Sequence, residues 1–255
     1  MNPSVLDWLL FATTTLGSVV LLAVLIFRCR WKHFPVFTAF VSFEIVQTLV
    51  LYLFFQYGSY GLYRKAYWTS ILIEFVFELG IIIEIARIVL RPTGTWVRDA
   101  RKQFILWGTL GILIAAALPF MVTPPAATFL QRLEVRGDLF TSLVICELIA
   151  VVTRTSLSLG LGWRSHVMAL GNGWTAWAVV AILVDGLHSY FGASLHFRDL
   201  EHVRMLAYLT TIAYWTVHFW VEEPVRQSIS PDLQAYIEAL HLRIIGDLGT
   251  IETQR

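Results

Sequence analysis

Two pairs of ionisable residues lie inside long apolar stretches of this sequence, and their spacing could support chemistry. Glu74 and Glu78 are four residues apart, and Asp185 and His188 are three residues apart. In a helix, both spacings place the two side chains on one face. Three carboxylates and an imidazole brought together could bind a divalent cation or share protons. We therefore predict that these four residues form a cation- or ligand-binding site, with the identity of any metal left open.

A structural role is the alternative for the same four residues. Glu74 and Glu78 could be protonated groups that hydrogen-bond to neighbouring helices, and His188 could be a residue of the membrane interface. Metal-ligand spacing on two helices is a weak signature without a third contributor. The sequence offers no candidate catalytic residue.

Five further ionisable residues are predicted to form ion pairs inside the bundle, because an isolated charge at the membrane centre costs at least about 2.5–3.5 kcal/mol. Glu84 and Arg87 are placed to pair along one helix. Glu147 and Arg154 share a face but lie two turns apart, so each should pair with a residue of another helix. Glu44 is the expected partner of Arg154 or Arg87.

The elements that must position these residues are seven apolar runs, each near the length of about 20 residues that crosses a bilayer as a helix. The chain has 255 residues, of which 57% are hydrophobic and 15% are charged. The runs do not alternate as strands of a membrane barrel would. We predict an all-α bundle of seven transmembrane helices within residues 1–223. The runs are Trp8–Phe27, Phe34–Phe55, Ala66–Leu90, Phe104–Val122, Leu139–Leu159, Val167–Phe191 and Val203–Val221.

The distribution of positive charge predicts the orientation of the bundle. Thirteen Lys and Arg residues fall on the side that receives the C-terminus, and six fall on the other side. The side richer in positive charge is normally cytoplasmic. The chain is therefore predicted to be a multi-pass protein of the inner (plasma) membrane with its N-terminus outside and its C-terminus inside. It has no basic stripe that could follow a nucleic-acid backbone.

Residues 224–255 are predicted to form a cytoplasmic tail with a short amphipathic helix. Ser230 and Pro231 are typical of a helix start. Apolar residues then recur at helical spacing from Leu233 to Ile244. Such a helix could lie on the inner leaflet or bind a cytoplasmic or membrane protein partner.

Several familiar chemistries are excluded or disfavoured. The three lysines, Lys32, Lys65 and Lys102, lie outside the spans, so a retinal Schiff base is impossible. The sequence contains no H-E-x-x-H motif, no G-x-S-x-G elbow and no P-loop. The cofactor, if there is one, stays unknown.

Short motifs at the helix ends resemble those of a broad, uncharacterised group of predicted bacterial integral membrane proteins with about seven helices. The motifs are Phe34-Pro-Val-Phe-Thr-Ala-Phe before Glu44, Tyr67-Trp68 before Glu74, Trp163-Arg164 before the sixth run, and Glu223-Pro224 after the seventh. The resemblance implies the fold and a bacterial origin, and no activity.

Three classes of function remain open at this point. The first is a non-enzymatic membrane sensor or accessory subunit with an outward-facing acidic pocket. The second is a transporter of protons or cations, because acidic residues in the spans outnumber basic ones. The third is an intramembrane enzyme, which lacks a recognisable nucleophile here.

Overall fold

The computed structural model describes residues 4–90, 98–121, 129–158, 165–191 and 197–222, and their regular structure is helical throughout. This confirms the predicted all-α class. The predicted tail helix lies outside the described residues. The described residues form seven α-helices, which are α1 Val5–Phe27, α2 Pro35–Tyr57, α3 Tyr60–Leu90, α4 Arg98–Met121, α5 Phe129–Ser158, α6 Ser165–Phe191 and α7 Phe197–Trp220.

Local sequence explains where the first two helices begin. The Ser4 hydroxyl accepts a hydrogen bond from the Asp7 amide, and the Asp7 carboxylate accepts one from the Ser4 amide, so the start of α1 is capped in both directions. A single 3-10 turn, Arg30–Lys32, follows α1, and it is entered through Cys29 in the left-handed conformation with φ 54°. Pro35 then occupies the first turn of α2, where its missing N–H is not needed.

Six of the helices close into a ring. Helix α1 packs against α2 and α7, and the ring continues from α2 to α3, α5, α6 and back to α7. Helix α3 also contacts α6 across the ring, while α4 packs against α5. Residues on α1, α2, α3 and α7 can therefore face one shared interior.

One half of this interior is apolar and closely packed. We call it the apolar half; it contains the second half of α1 and the first half of α2. The Phe37 ring lies 5.0 Å from the Trp215 ring and 5.7 Å from the Phe219 ring, measured between centroids. The Trp215 indole N–H donates a hydrogen bond to the Ala169 carbonyl at 3.2 Å. The largest fully buried side chains here are Leu21, Leu25, Phe37, Phe40, Ile81, Ile85, Ile145, Leu170, Ile212, Trp215 and Phe219.

The other half of the interior, the polar half, carries ionisable side chains at the opposite ends of the same helices. Asp7 and His202 meet there, where α1 and α7 begin, with Asp7 Oδ1 and His202 Nε2 2.6 Å apart. Asp138, Asp185, His188, Glu201 and Arg204 lie in this half as well. Most of the buried ionisable side chains thus lie away from the buried aromatic residues, and Glu84 is an exception in the apolar half.

The outside of the bundle is rich in exposed apolar side chains. Leu72 on α3, Leu106 on α4 and Val217 on α7 are each more than 60% exposed. Among the described residues, three helices are long and apolar enough to cross a membrane, and they cover Val5–Phe27, Pro35–Tyr57 and His166–His188.

Candidate functional site

A polar cavity of about 180 Å³ lies halfway along the bundle, at the boundary between the polar and apolar halves. Four helices contribute to its wall, and each does so near its own midpoint. Such a cavity can hold several water molecules or a small organic cation. Its lining residues are Thr14, Thr15 and Ser18 of α1, Glu44, Ile45, Gln47 and Thr48 of α2, Glu74 of α3 and Tyr208 of α7.

Two carboxylates face this cavity, and each has a neutral polar neighbour. The Tyr208 hydroxyl donates a hydrogen bond to Glu44 Oε2. The Gln47 side chain is the polar neighbour of Glu74. Among the described residues, the wall of the cavity therefore contains two acidic groups and no basic one.

Glu78 adds a third carboxylate one turn from Glu74. Its side chain is buried, and it interacts electrostatically with Glu74, Asp138 and Glu44. Three acidic side chains, Glu44, Glu74 and Glu78, thus lie near the centre of the bundle. Interacting carboxylates repel one another when ionised, so the arrangement favours a proton or a positively charged group among them.

A second ionisable group lies further into the polar half and contains its own base. The Arg204 guanidinium donates a hydrogen bond to Asp185 Oδ1, and its Nη1 atom lies 3.8 Å from Asp138 Oδ2. His188 Nδ1 lies 3.5 Å from Glu201 Oε1. Asp138 connects the two groups, since it neighbours both Arg204 and Glu78.

The structure therefore distributes the four predicted site residues over two neighbouring groups. Glu74 lines the cavity and Glu78 lies beside it, whereas Asp185 and His188 belong to the group around Arg204. Among the described residues, no group of three or more His, Cys, Asp or Glu side chains is arranged to hold a metal ion.

The sequence alone does not identify Gln47, Tyr208 and Arg204 as neighbours of the acidic residues. Gln47 and Tyr208 are neutral, so neither is conspicuous within an apolar run. Arg204 stands one residue after the predicted start of the seventh run and was counted with the outer loop charges. The signal in the sequence that could have identified Arg204 is its position just inside the predicted span rather than in the loop before it.

Glu84, the predicted partner of Arg87, binds the start of α2 instead. Its two carboxylate oxygens accept hydrogen bonds from the Val36 amide at 2.9 Å and the Phe37 amide at 3.1 Å. Phe34, which precedes α2, provides no side-chain cap, so Glu84 satisfies amides that the helix itself leaves open. Arg87 is exposed and remains a charged neighbour of Glu84.

Arg154 and Glu147, which were also predicted to form ion pairs, lie apart from the cavity. Arg154 is exposed and lines a groove between α5 and α6, so it does not share a cavity with Glu44. Glu147 lies against α4, where a Cβ atom at Gly111 would come within 2.6 Å of Glu147 Oε2. The glycine leaves room for that carboxylate between the two helices.

Comparisons with protein families, with curated proteins and with solved structures find no match to this chain. The fold and the site define a helical bundle with a buried acidic cavity, and its function has to be argued from that geometry.

Proposed function

We propose that this chain is a multi-pass protein of the plasma membrane that binds a small cation or an organic amine in the central cavity. It acts as a non-enzymatic sensor or accessory subunit. In this proposal all seven helices cross the membrane, with the N-terminus outside, and the polar half faces outward.

Helix α3 illustrates why we assign spans beyond the three most apolar helices. Helix α3 is not one of those three, and acidic residues interrupt its apolar sequence. However, Glu78 and Glu84 point into the bundle, while Leu72, Val76 and Ile83 are exposed on its outer face. Ionisable groups inside and apolar groups outside are what a bilayer requires of a spanning helix.

The observation that carries the proposal is the position of the cavity at mid-height, with carboxylates in its wall. In a membrane, polar side chains at this depth are costly and usually serve binding or transport. Glu44 and Glu74 give the cavity a negative character, so its ligand should be positively charged.

The apolar half favours sensing over transport. Below the cavity, Phe37, Trp215 and Phe219 pack against one another and are almost completely buried. A ligand that reaches Glu44 from the polar half therefore meets a closed core rather than a path to the other side.

Transport of protons or cations is the second candidate, and one observation favours it. Ionisable groups follow one another from Glu44 through Glu78 and Asp138 to Arg204. Such a series could pass a proton between the cavity and the outer surface, although it would still need an opening through the apolar half.

The test is ligand-dependent stabilisation of the full chain in lipid nanodiscs, with propylamine and alkali cations as probes. At 100 times its dissociation constant, a ligand that binds only the folded state stabilises it by about 2.7 kcal/mol. We expect a saturable rise in melting temperature that Glu44→Gln and Glu74→Gln each weaken. Glu222→Gln, an exposed acid where α7 ends, is the control.

Two results would decide between the alternatives. Absence of stabilisation by amines and cations alike would contradict the proposed binding site. If the same probe were taken up into proteoliposomes and Glu44→Gln abolished the uptake, transport rather than sensing would be the function of the protein.

A further inference from the structure

A second cavity opens beside the central one, and it differs in character. It has a volume of about 390 Å³ and lies between α1 and α2 on the outer half of the bundle. Gln47 and Thr48 line both cavities, so the two adjoin at mid-height. We call the second cavity the aromatic groove, because Trp8, Phe11, Tyr52, Phe55 and Tyr63 contribute to its wall.

The aromatic groove runs from the central cavity to the outer ends of the helices. The segment of α2 from Thr48 to Phe55 spans about 10 Å at 1.5 Å per residue. Phe55 is 68% exposed and Trp8 is 47% exposed, so the groove opens on the surface that faces lipid in the proposed membrane arrangement. Trp8 packs edge-on against both Phe11 and Tyr52.

The charges along this path are unequal at its two ends. At the inner end, Glu74 and Glu44 face the adjoining cavity, whose wall has no basic side chain from the part of the chain that the structure describes. At the outer end, Asp7 lines the groove but is paired with His202. A positive group is therefore attracted to the inner end, while the wall between the ends suits an apolar chain.

We propose that the ligand of the central cavity is an amphiphilic amine drawn from the outer leaflet, with its ammonium group at Glu44 and Glu74 and its apolar chain in the aromatic groove. This inference rests on the proposed function, since it names the class of ligand for the same site. The groove would then also serve as the lateral route from the bilayer to the cavity.

The experiment compares three probes on the full chain in nanodiscs: dodecylamine, propylamine and dodecanol. The apparent dissociation constant of dodecylamine, expressed in total ligand concentration, is expected to be at least about tenfold lower than that of propylamine. The bilayer concentrates the long-chain amine, and the groove orders its chain. Dodecanol is expected to bind weakly, since it lacks the charge that the cavity attracts.

Variants separate the groove from the cavity. Leu51→Trp fills the groove and should weaken dodecylamine binding about tenfold while leaving propylamine binding unchanged. Leu183→Trp, the same substitution at an exposed position of α6, is the matched control and should change neither. Glu44→Gln should weaken the binding of both dodecylamine and propylamine.

Crosslinking gives a readout that does not depend on a variant folding. A dodecylamine with a photoreactive group at its chain end should label residues of the groove wall, such as Phe11 and Tyr52.

Equal binding of the two amines, with no effect of Leu51→Trp, would overturn the groove proposal and leave the cavity proposal standing. Failure of both amines to bind would contradict the cavity itself. Labelling of Leu183 instead of the groove would also overturn the proposal.

Discussion

The Tyr208 hydroxyl of α7 donates a hydrogen bond to Glu44 Oε2 of α2, two helices that α1 separates around the ring. The bond therefore crosses the interior rather than joining ring neighbours. It also fixes the Glu44 carboxylate at the wall of the central cavity, next to the threonines of α1. A single hydroxyl thus contributes both to helix association and to the orientation of a proposed ligand-binding group.

Tyr208→Phe should remove this bond while keeping the aromatic ring, which packs edge-on against Trp177 at 6.2 Å. A buried hydrogen bond to a carboxyl group contributes about 1–3 kcal/mol, so we expect a loss of stability of that order. Equilibrium unfolding in mixed micelles measures it. Tyr214→Phe, on the same helix outside the cavity, is the control, and an equal loss in both variants would contradict a specific role for Tyr208.

Glu84 should be more important for stability than its exposed neighbour Arg87. Glu84→Ala leaves the Val36 and Phe37 amides at the start of α2 without their acceptors, and we expect a loss of about 2–3 kcal/mol. Glu84→Gln keeps one acceptor oxygen and should lose less. Arg87→Ala should lose under about 1 kcal/mol, as is usual for exposed charges. If Arg87→Ala were as harmful as Glu84→Ala, the predicted ion pair would be the dominant interaction.

Two glycines of α6 offer a matched test of packing in the apolar half. A Cβ atom at Gly173 would overlap the Trp215 indole, whereas one at Gly186 would meet nothing within 4 Å. Gly173→Ala should therefore destabilise the protein by about 1–3 kcal/mol and shift the tryptophan fluorescence. Gly186→Ala should be neutral or stabilising by up to about 1 kcal/mol, because alanine favours helix. Similar effects of the two substitutions would show that Trp215 does not pack tightly on α6.

The lengths of the apolar runs correctly predicted which segments are helical. They did not predict the polar residues at the helix ends, because those residues are not apolar. Helix α3 begins at Tyr60, six residues before the run that starts at Ala66, and α5 begins at Phe129, ten residues before the run that starts at Leu139. Both extensions contain Lys or Arg, which lower hydropathy without opposing helix formation. Hydropathy indicates whether a segment prefers an apolar environment. A helix can continue past the apolar part of its sequence into a polar one.

Helical spacing predicted which acidic residues share a face, and it could not predict which faces meet. Glu74 and Glu78 do share a site, but the acidic residues that interact with Glu78 from other helices are Asp138 of α5 and Glu44 of α2 rather than Asp185. Ring order decides this, because α2 and α5 are the two neighbours of α3 along the ring. Short connections allow several ring orders, so the partner of a buried carboxylate cannot be read from one sequence.

Arg204 is the base that allows Asp185 to remain buried, since its guanidinium contacts both Asp185 and Asp138. Arg204→Met should destabilise the bundle by about 3 kcal/mol, because removing this partner leaves the buried Asp185 carboxylate without the guanidinium charge beside it. Adding Asp185→Asn to that variant should restore part of the loss. Arg198→Met, at an exposed position of α7, is the control. Without any rescue in the double variant, the two residues would not be energetically coupled.

The contrast between the two halves of the bundle predicts a contrast in chemical access along α1. Thr14 lines the central cavity, whereas Leu21, two turns further along, is 1% exposed in the apolar core. In a background with Cys29→Ser and Cys146→Ala, Thr14→Cys should react with a cationic, membrane-impermeant thiosulfonate added outside, because Glu44 and Glu74 attract the reagent. Leu21→Cys should stay unreactive from both sides, because the packed aromatic residues exclude water and ions.

Reaction of Thr14→Cys only from the cytoplasmic side would reverse the proposed orientation. Reaction of Leu21→Cys in the presence of an amine would show that the apolar half opens, and the protein would then be a transporter.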